Sequence, residues 1–392
     1  MSIDLQAMQT DLVNARVDGW LFYDFRGRDP IAQRILKLPE GMRTRRWFYF
    51  VPAKGVARKL AHKIEAQALE SLPGETFYYA GLQELEKGLK KIIGRAKNIA
   101  MQYSPKNAIP YISMVDAGTI ELVRGVGAKI VSSADLVQKY EACWTDAQLR
   151  SHEEAGRAID VIVRGAFQHA AKCVRDAIRH TEYELKQWIQ GGFEAAGLNT
   201  EEGPDVAVNA HASDPHYGPT AASAAPIRKD DLLLLDVWGK LKTPGSVYYD
   251  ITWVGYLGKK VPEKYAKVFR AVANARDKAV DLICSSAAAG KPLQGWQVDK
   301  AARTVIEKAG YGKYFFHRTG HNIGETIHGN GANMDDLETH DVRRLIPHTC
   351  TSIEPGIYLP EFGIRSEVNV YIDERSARVT GAIQKEILAL LA

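Results

Sequence analysis

Cysteine is scarce: four occur in 392 residues, at Cys143, Cys173, Cys284 and Cys350, far apart and with no CxxC pair. That distribution argues against a disulfide framework and predicts reduced thiols in a cytoplasmic protein. No apolar run approaches the roughly 18 residues needed to cross a bilayer, so a membrane partner is not expected. Residues 1–9 carry Asp4, no basic residue and no apolar core, so no secretory signal is expected either. Neither sign of charge dominates. With 51 basic and 47 acidic residues the net charge is +4. No basic cluster is interleaved with aromatics, so nucleic acid is not an expected partner. The basic run at 87–97 reads as a solvated face. Repeats and low-complexity tracts are missing as well.

What is present suits a globular chain of two domains: 45% of residues are hydrophobic and 25% charged. Residues 1–145 alternate short apolar strands (19–23, 46–52, 98–101) with helical spacing at 57–70 and 82–93, the pattern of an α/β domain. The charged loop from Asp24 to Pro30 reads as a turn. Residues 146–392 differ. Thr145-Asp146 caps a long helix over 147–178, and Thr181-Glu182-Tyr183-Glu184 is a capping box for a second helix ending near Gly197. Two more helices are predicted at 262–289 and 297–309. Strand-like runs fall at 232–238, 248–254, 352–358 and 364–372. Helices grouped around strands without strict βαβ alternation predict an α+β domain with an antiparallel sheet.

Chemistry concentrates in residues 316–372, which hold His317, His321, His328, His340, His348, Glu354 and Glu367. Histidine and carboxylate are the residue types that bind divalent metals and move protons. Gly320 and Gly324 flank His321, which disfavours a helix and favours backbone folding closely around the imidazole. From 364 to 372 the residues alternate, with Arg365, Glu367, Asn369 and Tyr371 on one side of a single strand.

Two aspartates complete the picture. Asp236 ends the apolar run Leu232-Leu233-Leu234-Leu235, and Asp250 lies in Tyr248-Tyr249-Asp250-Ile251-Thr252. A carboxylate in such a strand requires a partner or a metal. A hairpin through Lys242-Thr243-Pro244-Gly245 would set Asp236 and Asp250 side by side, where they repel unless a cation or proton intervenes. Asp236, Asp250, His321, Glu354 and Glu367 together form an oxygen-rich donor set. It suits two divalent ions, Mn²⁺ first and Co²⁺ or Zn²⁺ as alternatives. Such pairs lower the pKa of a water and polarise a carbonyl, which is the chemistry of hydrolysis.

The order Asp-Asp-His-Glu-Glu resembles the pita-bread metallopeptidases. The matching motifs are Leu235-Asp236, Tyr249-Asp250-Ile251-Thr252, Gly320-His321-Asn322-Ile323-Gly324, Glu354-Pro355-Gly356-Ile357-Tyr358 and Gly363-Ile364-Arg365-Ser366-Glu367. The resemblance covers roughly residues 150–385 and is closest to the prolidase and aminopeptidase P branch, whose members carry a smaller creatinase-like α/β domain ahead of a curved antiparallel sheet with covering helices. It implies that Asp236 holds one ion, that Asp250 and Glu367 bridge both, and that His321 and Glu354 hold the other. It makes Glu354 the general base for a metal-bridged hydroxide. It places His216 and His328 at the tetrahedral intermediate, His317 in the proline pocket, and Arg365 on a substrate carboxylate or carbonyl. It also implies a homodimer acting on proline-containing peptides. His211, His340 and His348 match no motif.

Four departures bear on subtype. A tyrosine that helps catalysis in some relatives has no clear counterpart here. Trp253 stands where the family has arginine, Gly329 where it has glutamate, and the segment between the aspartates is longer than usual. The expected activity is hydrolysis of Xaa-Pro dipeptides. The alternatives are an aminopeptidase P acting on longer chains, or a metal-free creatinase-like hydrolase or peptide-binding relative.

Overall fold

In the computed structural model, residues 3–41 and 43–392 are described. The chain divides into two units, Met1–Glu141 and Ala142–Ala392.

The first unit is built on six strands: β1 (Gly19–Asp24), β2 (Trp47–Pro52), β3 (Arg58–His62), β4 (Glu75–Tyr79), β5 (Asn98–Met101) and β6 (Lys129–Ser132). They form one mixed sheet in the order β4-β3-β2-β1-β5-β6. Five helices cover it: α1 (Leu5–Asn14), α2 (Pro30–Ile35), α3 (Leu82–Ile93), α4 (Ala117–Gly125) and α5 (Ala134–Glu141). β1 and β2 are buried along their whole length, so both faces of the sheet are apolar. The loop after β1 is a turn: Asp24 accepts from the backbone N–H groups of Gly27 and Asp29, and Asp29 caps α2. The helical spacing at 57–70 misleads. That segment forms β3 and a single 3-10 turn (Lys63–Glu65), because β3 pairs with β2 on one side and β4 on the other. Two ladders of backbone hydrogen bonds outweigh a weak helical preference.

The second unit opens with α6 (Asp146–Arg175) and α7 (Glu182–Ala195). Both begin with complete capping boxes, Thr145 with Gln148 and Thr181 with Glu184. Strands β7 (Leu198–Asn199), β8 (Asp205–Val208), β9 (Leu232–Leu241) and β10 (Tyr249–Tyr256) follow, then α8 (Glu263–Ala288) and α9 (Gly295–Lys308). The chain ends with β11 (Asn322–Ile323), β12 (Thr349–Ile353), β13 (Gly356–Leu359), β14 (Phe362–Arg365), β15 (Val368–Ile372), β16 (Ala377–Val379) and β17 (Leu388–Ala389). One sheet runs β17-β10-β9-β7, with β8 also on β9, and a second runs β11-β12-β15-β16. β13 and β14 form a separate hairpin. All these pairings are antiparallel except β10 with β17.

The two faces of the β9–β10 hairpin have different neighbours. Leu233, Leu235, Val237, Tyr249, Ile251 and Trp253 pack with α6 and α7. Leu232, Leu234, Val254 and Tyr256 pack with α8 and α9. By strand alternation, Asp236, Asp250 and Thr252 share the second face.

Candidate metal centre

The β9–β10 register puts Asp236 opposite Thr252 and Asp250 opposite Trp238. The aspartates are therefore diagonal neighbours on one face, a correction to the expected side-by-side pair. The hydroxyl of Thr252 lies between Asp236 and Glu367. It stands 2.8 Å from Glu367 Oε2 and 3.2 Å from Asp236 Oδ1, and it accepts from Arg365 Nε at 3.0 Å.

Two chain breaks deliver the glutamates. The run at 352–358 is two strands, β12 and β13, parted at Glu354-Pro355. Proline has no N–H for the ladder, and the Glu354 N–H bonds to Thr319 O at 2.7 Å. The run at 364–372 is also two strands, β14 and β15, parted at Ser366-Glu367. There the Glu367 N–H leaves its own hairpin and bonds to Thr252 O at 3.2 Å on β10. The buried Arg276 of α8 donates to Ser366 Oγ and, at 2.8 Å, to Gln384 O, pinning that corner. Both carboxylates leave their strands where the ladder is interrupted and turn toward Asp250.

His321 arrives from the β11 side. A Cβ on Gly320 would lie 2.0 Å from Ser352 O, so only glycine permits the approach of this backbone to β12. The His321 N–H donates to Ser352 Oγ at 2.9 Å. Its Nδ1 faces Asn322 O at 3.2 Å, which assigns the ring proton to Nδ1. Nε2 then presents a lone pair to Asp250 Oδ2 and Glu354 Oε1, each at 3.5 Å. Asp250, His321 and Glu367 each offer one ligand atom within 4.8 Å of the others, and all three are buried.

The electrostatics of this cluster are unfavourable without a cation. Burial raises the Asp250 and Glu367 carboxyls well above the usual range, and neighbouring carboxylates raise them further. Glu354 is raised too, by burial first. Burial lowers His321. Glu367 Oε1 is buried with no hydrogen-bond partner. An orphaned carboxylate oxygen, a lone pair aimed at carboxylates and mutually repelling acids are what divalent cations would satisfy, so the donor set fits metal.

Arg365 lies at the edge of the cluster. It donates to Asp236 Oδ2 and, through Nη1, to Tyr358 OH at 3.1 Å, with Glu354 Oε2 at 3.9 Å. Burial opposes its charge, but Asp236, Tyr358 and the glutamates hold it above the ordinary value. His317 joins the same chain: Nε2 lies 2.7 Å from Tyr358 OH and Nδ1 2.7 Å from Arg318 O. Burial, with the Arg365 charge adding to it, pushes His317 down to about 3. The imidazole is therefore neutral, donating from Nδ1 and accepting the Tyr358 hydroxyl at Nε2. The His328 ring stands edge-on to His321 with centroids 4.5 Å apart. Burial pushes its pKa down to about 3, and the charges of His321, Arg318 and His216 act in the same direction. His216 is exposed on the loop after β8, where its N–H bonds to Asp214 Oδ1 at 3.0 Å. It makes no hydrogen bond to the cluster among the described residues.

Several contributors went unread in the sequence. Asp205, on β8 directly opposite Asp236, is pushed up to about 6 by burial and by the Asp236 charge. Asn369 clamps the Asp250 backbone from both sides, at 2.9 Å and 2.6 Å. Tyr358 closes the Glu354-Pro355-Gly356-Ile357-Tyr358 motif, but its place between His317 and Arg365 depends on the β13–β14 hairpin. Trp253 differs from expectation. Its side chain lies on the opposite face of β10, packed toward α6 and α7, and so does not line the site. His211 bonds to the buried Glu182 at 3.0 Å, and His340 to Asp336 at 2.6 Å.

The sequence pattern described as metallopeptidase family M24 matches residues 151–374. The YkvY protein of Bacillus subtilis is 29% identical over 310 residues, covering 78% of this chain and 77% of that one. An Xaa-Pro dipeptidase of Lactobacillus delbrueckii is 29% identical over 240 residues, covering 60% of this chain and 58% of that enzyme. The crystal structure of the dipeptidase PepE from Mycobacterium ulcerans superposes with a TM-score of 0.71 at 23% identity, covering 98% of this chain and 96% of that one, and so has the same fold.

Proposed function

Because the chain belongs to metallopeptidase family M24, we propose that it hydrolyses the Xaa-Pro bond, chiefly of dipeptides. Two divalent ions, Mn²⁺ before Co²⁺ or Zn²⁺, would be held by Asp236, Asp250, His321, Glu354 and Glu367. The observation that carries this reading is the buried cluster in which Glu367 Oε1 lacks a partner and His321 Nε2 faces two carboxylates. When bound, the ions supply a water of lowered pKa and polarise the scissile carbonyl.

The protein side chains do the rest. Glu354, whose Oε1 lies 3.5 Å from His321 Nε2, takes the proton of the attacking water. His328, and His216 from its loop, steady the tetrahedral intermediate. Neutral His317 walls the proline pocket without adding charge to it. Arg365 has five N–H donors and spends three on Thr252, Tyr358 and Asp236, which leaves donors for a substrate carboxylate. Catalysis belongs to residues 146–392 in this reading, with 1–145 a separate domain, and the working form is a cytoplasmic homodimer. No helix among the described residues is long and apolar enough to cross a membrane.

The test is hydrolysis of Ala-Pro, Ala-Pro-Ala and Ala-Ala by chelator-treated protein, before and after adding Mn²⁺, Co²⁺ or Zn²⁺. Metal-dependent cleavage of Ala-Pro alone supports the dipeptidase. Preference for Ala-Pro-Ala moves the assignment to aminopeptidase P, and failure on both proline peptides with every ion overturns the proposal.

A further inference from the structure

A second group of ligand-type side chains lies apart from the carboxylate cluster, where α6 turns into α7. His169 and Cys173 are four residues apart on α6 and so share one helix face. His180 follows the turn. One ligand atom from each of the three lies within 4.8 Å of the other two. His169 Nε2 stands 3.7 Å from Cys173 Sγ. Tetrahedral zinc with ordinary bond lengths to sulfur and nitrogen has S···N edges of about 3.6 Å, so this pair already stands at ligand separation.

The surroundings hold the group in place. α6 closes with the Ile178 N–H on Cys173 O at 2.9 Å, and Ala177 reverses the chain at φ +53°. The backbone of His180 is anchored by the Ile227 N–H at 2.8 Å. Trp188 of α7 stacks on His169, with centroids 5.2 Å apart and planes 17° from parallel. His180 Nδ1 lies 3.9 Å from Glu184 Oε2. That carboxylate is already committed to the Thr181 N–H and hydroxyl, at 2.7 Å and 2.8 Å. His180 Nε2, in contrast, is buried and has no hydrogen-bond partner. Burial lowers both histidines, which favours the neutral, ligating imidazole.

We propose that His169, Cys173 and His180 form a mononuclear site for a borderline-soft divalent cation, Zn²⁺ foremost, with the fourth position left to water. One thiolate and two imidazoles prefer such an ion, whereas the oxygen-rich cluster prefers a harder one. The site joins the end of α6 to the start of α7 and acts as a clip between them. It stands whether or not the carboxylate cluster is a peptidase centre.

Cobalt separates the two sites, because only the α6–α7 group contains a thiol. Chelator-treated full-length protein titrated with Co²⁺ should develop thiolate-to-cobalt charge-transfer absorption in the near ultraviolet. The band should persist in Asp250→Asn and vanish in Cys173→Ser. Zinc-loaded Cys173→Ser and His180→Gln should each carry one equivalent less zinc per chain than the parent, with unchanged peptide hydrolysis. His180→Gln lies outside the helices and guards against misfolding of the buried Cys173 variant. A parent protein without the band, a band that survives Cys173→Ser, or zinc content unchanged in both variants would overturn the proposal.

Discussion

Glu354 and His152 show how much a single residue depends on what surrounds it. Glu354 is one of several glutamates in the sequence until its N–H is tied to Thr319 O and its carboxylate faces His321. Glu354→Gln keeps an oxygen donor and the side-chain volume but removes the base. Steady-state kinetics should show kcat lower by about 10²–10⁴-fold, with bound metal measured by elemental analysis close to the parent value. A fall in kcat no larger than the accompanying loss of metal would leave Glu354 a ligand with no role as base. His152, on α6, bonds to Tyr248 O at 2.6 Å and Thr380 Oγ1 at 2.7 Å and is fully buried. Burial pushes its pKa down to about 4 from 6.5. The unfolded chain therefore binds a proton between those values that the folded chain refuses. The contribution of neutral His152 to stability is complete above about pH 6.5 and is lost as pH falls toward 4, by about 3 kcal/mol in total. Urea unfolding of the parent and His152→Gln across that window should give a stability difference that shrinks with acidification. A difference independent of pH would show that His152 is not held neutral.

At the scale of elements, hydrophobic periodicity and caps were legible, and not every interruption was. The starts of α6 and α7 follow from their capping residues, and the extents of α6 to α9 from three- and four-residue apolar steps, which are local. Pro355 was a local signal that the reading of 352–358 as one strand passed over. The break at Ser366-Glu367, in contrast, was invisible as a break, because alternation continues across it and only partners on other strands show where the ladder stops. The 57–70 segment failed for the same reason, since pairing with β2 and β4 is decided far along the chain. Gly320 is the element-level test. A methyl there meets Ser352 O at 2.0 Å, a backbone atom that cannot rotate away. Gly320→Ala should destabilise the protein by about 1–3 kcal/mol, read as a lower Tm, and should weaken metal retention because His321 is the next residue. Normal metal content and normal Tm together would contradict the close approach.

For the whole molecule, metal and folding are linked. Asp250, Glu354 and Glu367 have pKa values above the ordinary range in the folded chain, so the metal-free fold binds more protons than the unfolded chain. Their contribution favours the fold on the acid side and is lost as pH rises through the raised values. In the proposed function divalent ions would replace those protons. A hundredfold excess of metal over its Kd adds about 2.7 kcal/mol. Thermal melts of chelator-treated protein at about pH 5 and about pH 8 should therefore show Mn²⁺ raising Tm more at the higher pH. An equal shift at both would mean that these carboxylates are not the ligands.

The sequence alone carried the family, which the match over residues 151–374 shows, and it supplied the proposal of which acidic and imidazole side chains are the donors. Those depend on residue type, order and local spacing, which are covalent facts. Tertiary structure alone decided that Thr252 and not Asp250 faces Asp236, that Arg365 and Tyr358 connect Asp236 to His317, and that Trp253 points away from the site. It also brought His180 to His169 and Cys173. Each of these depends on strand register or on the path of a turn, and a one-residue shift in register reverses which face a side chain occupies.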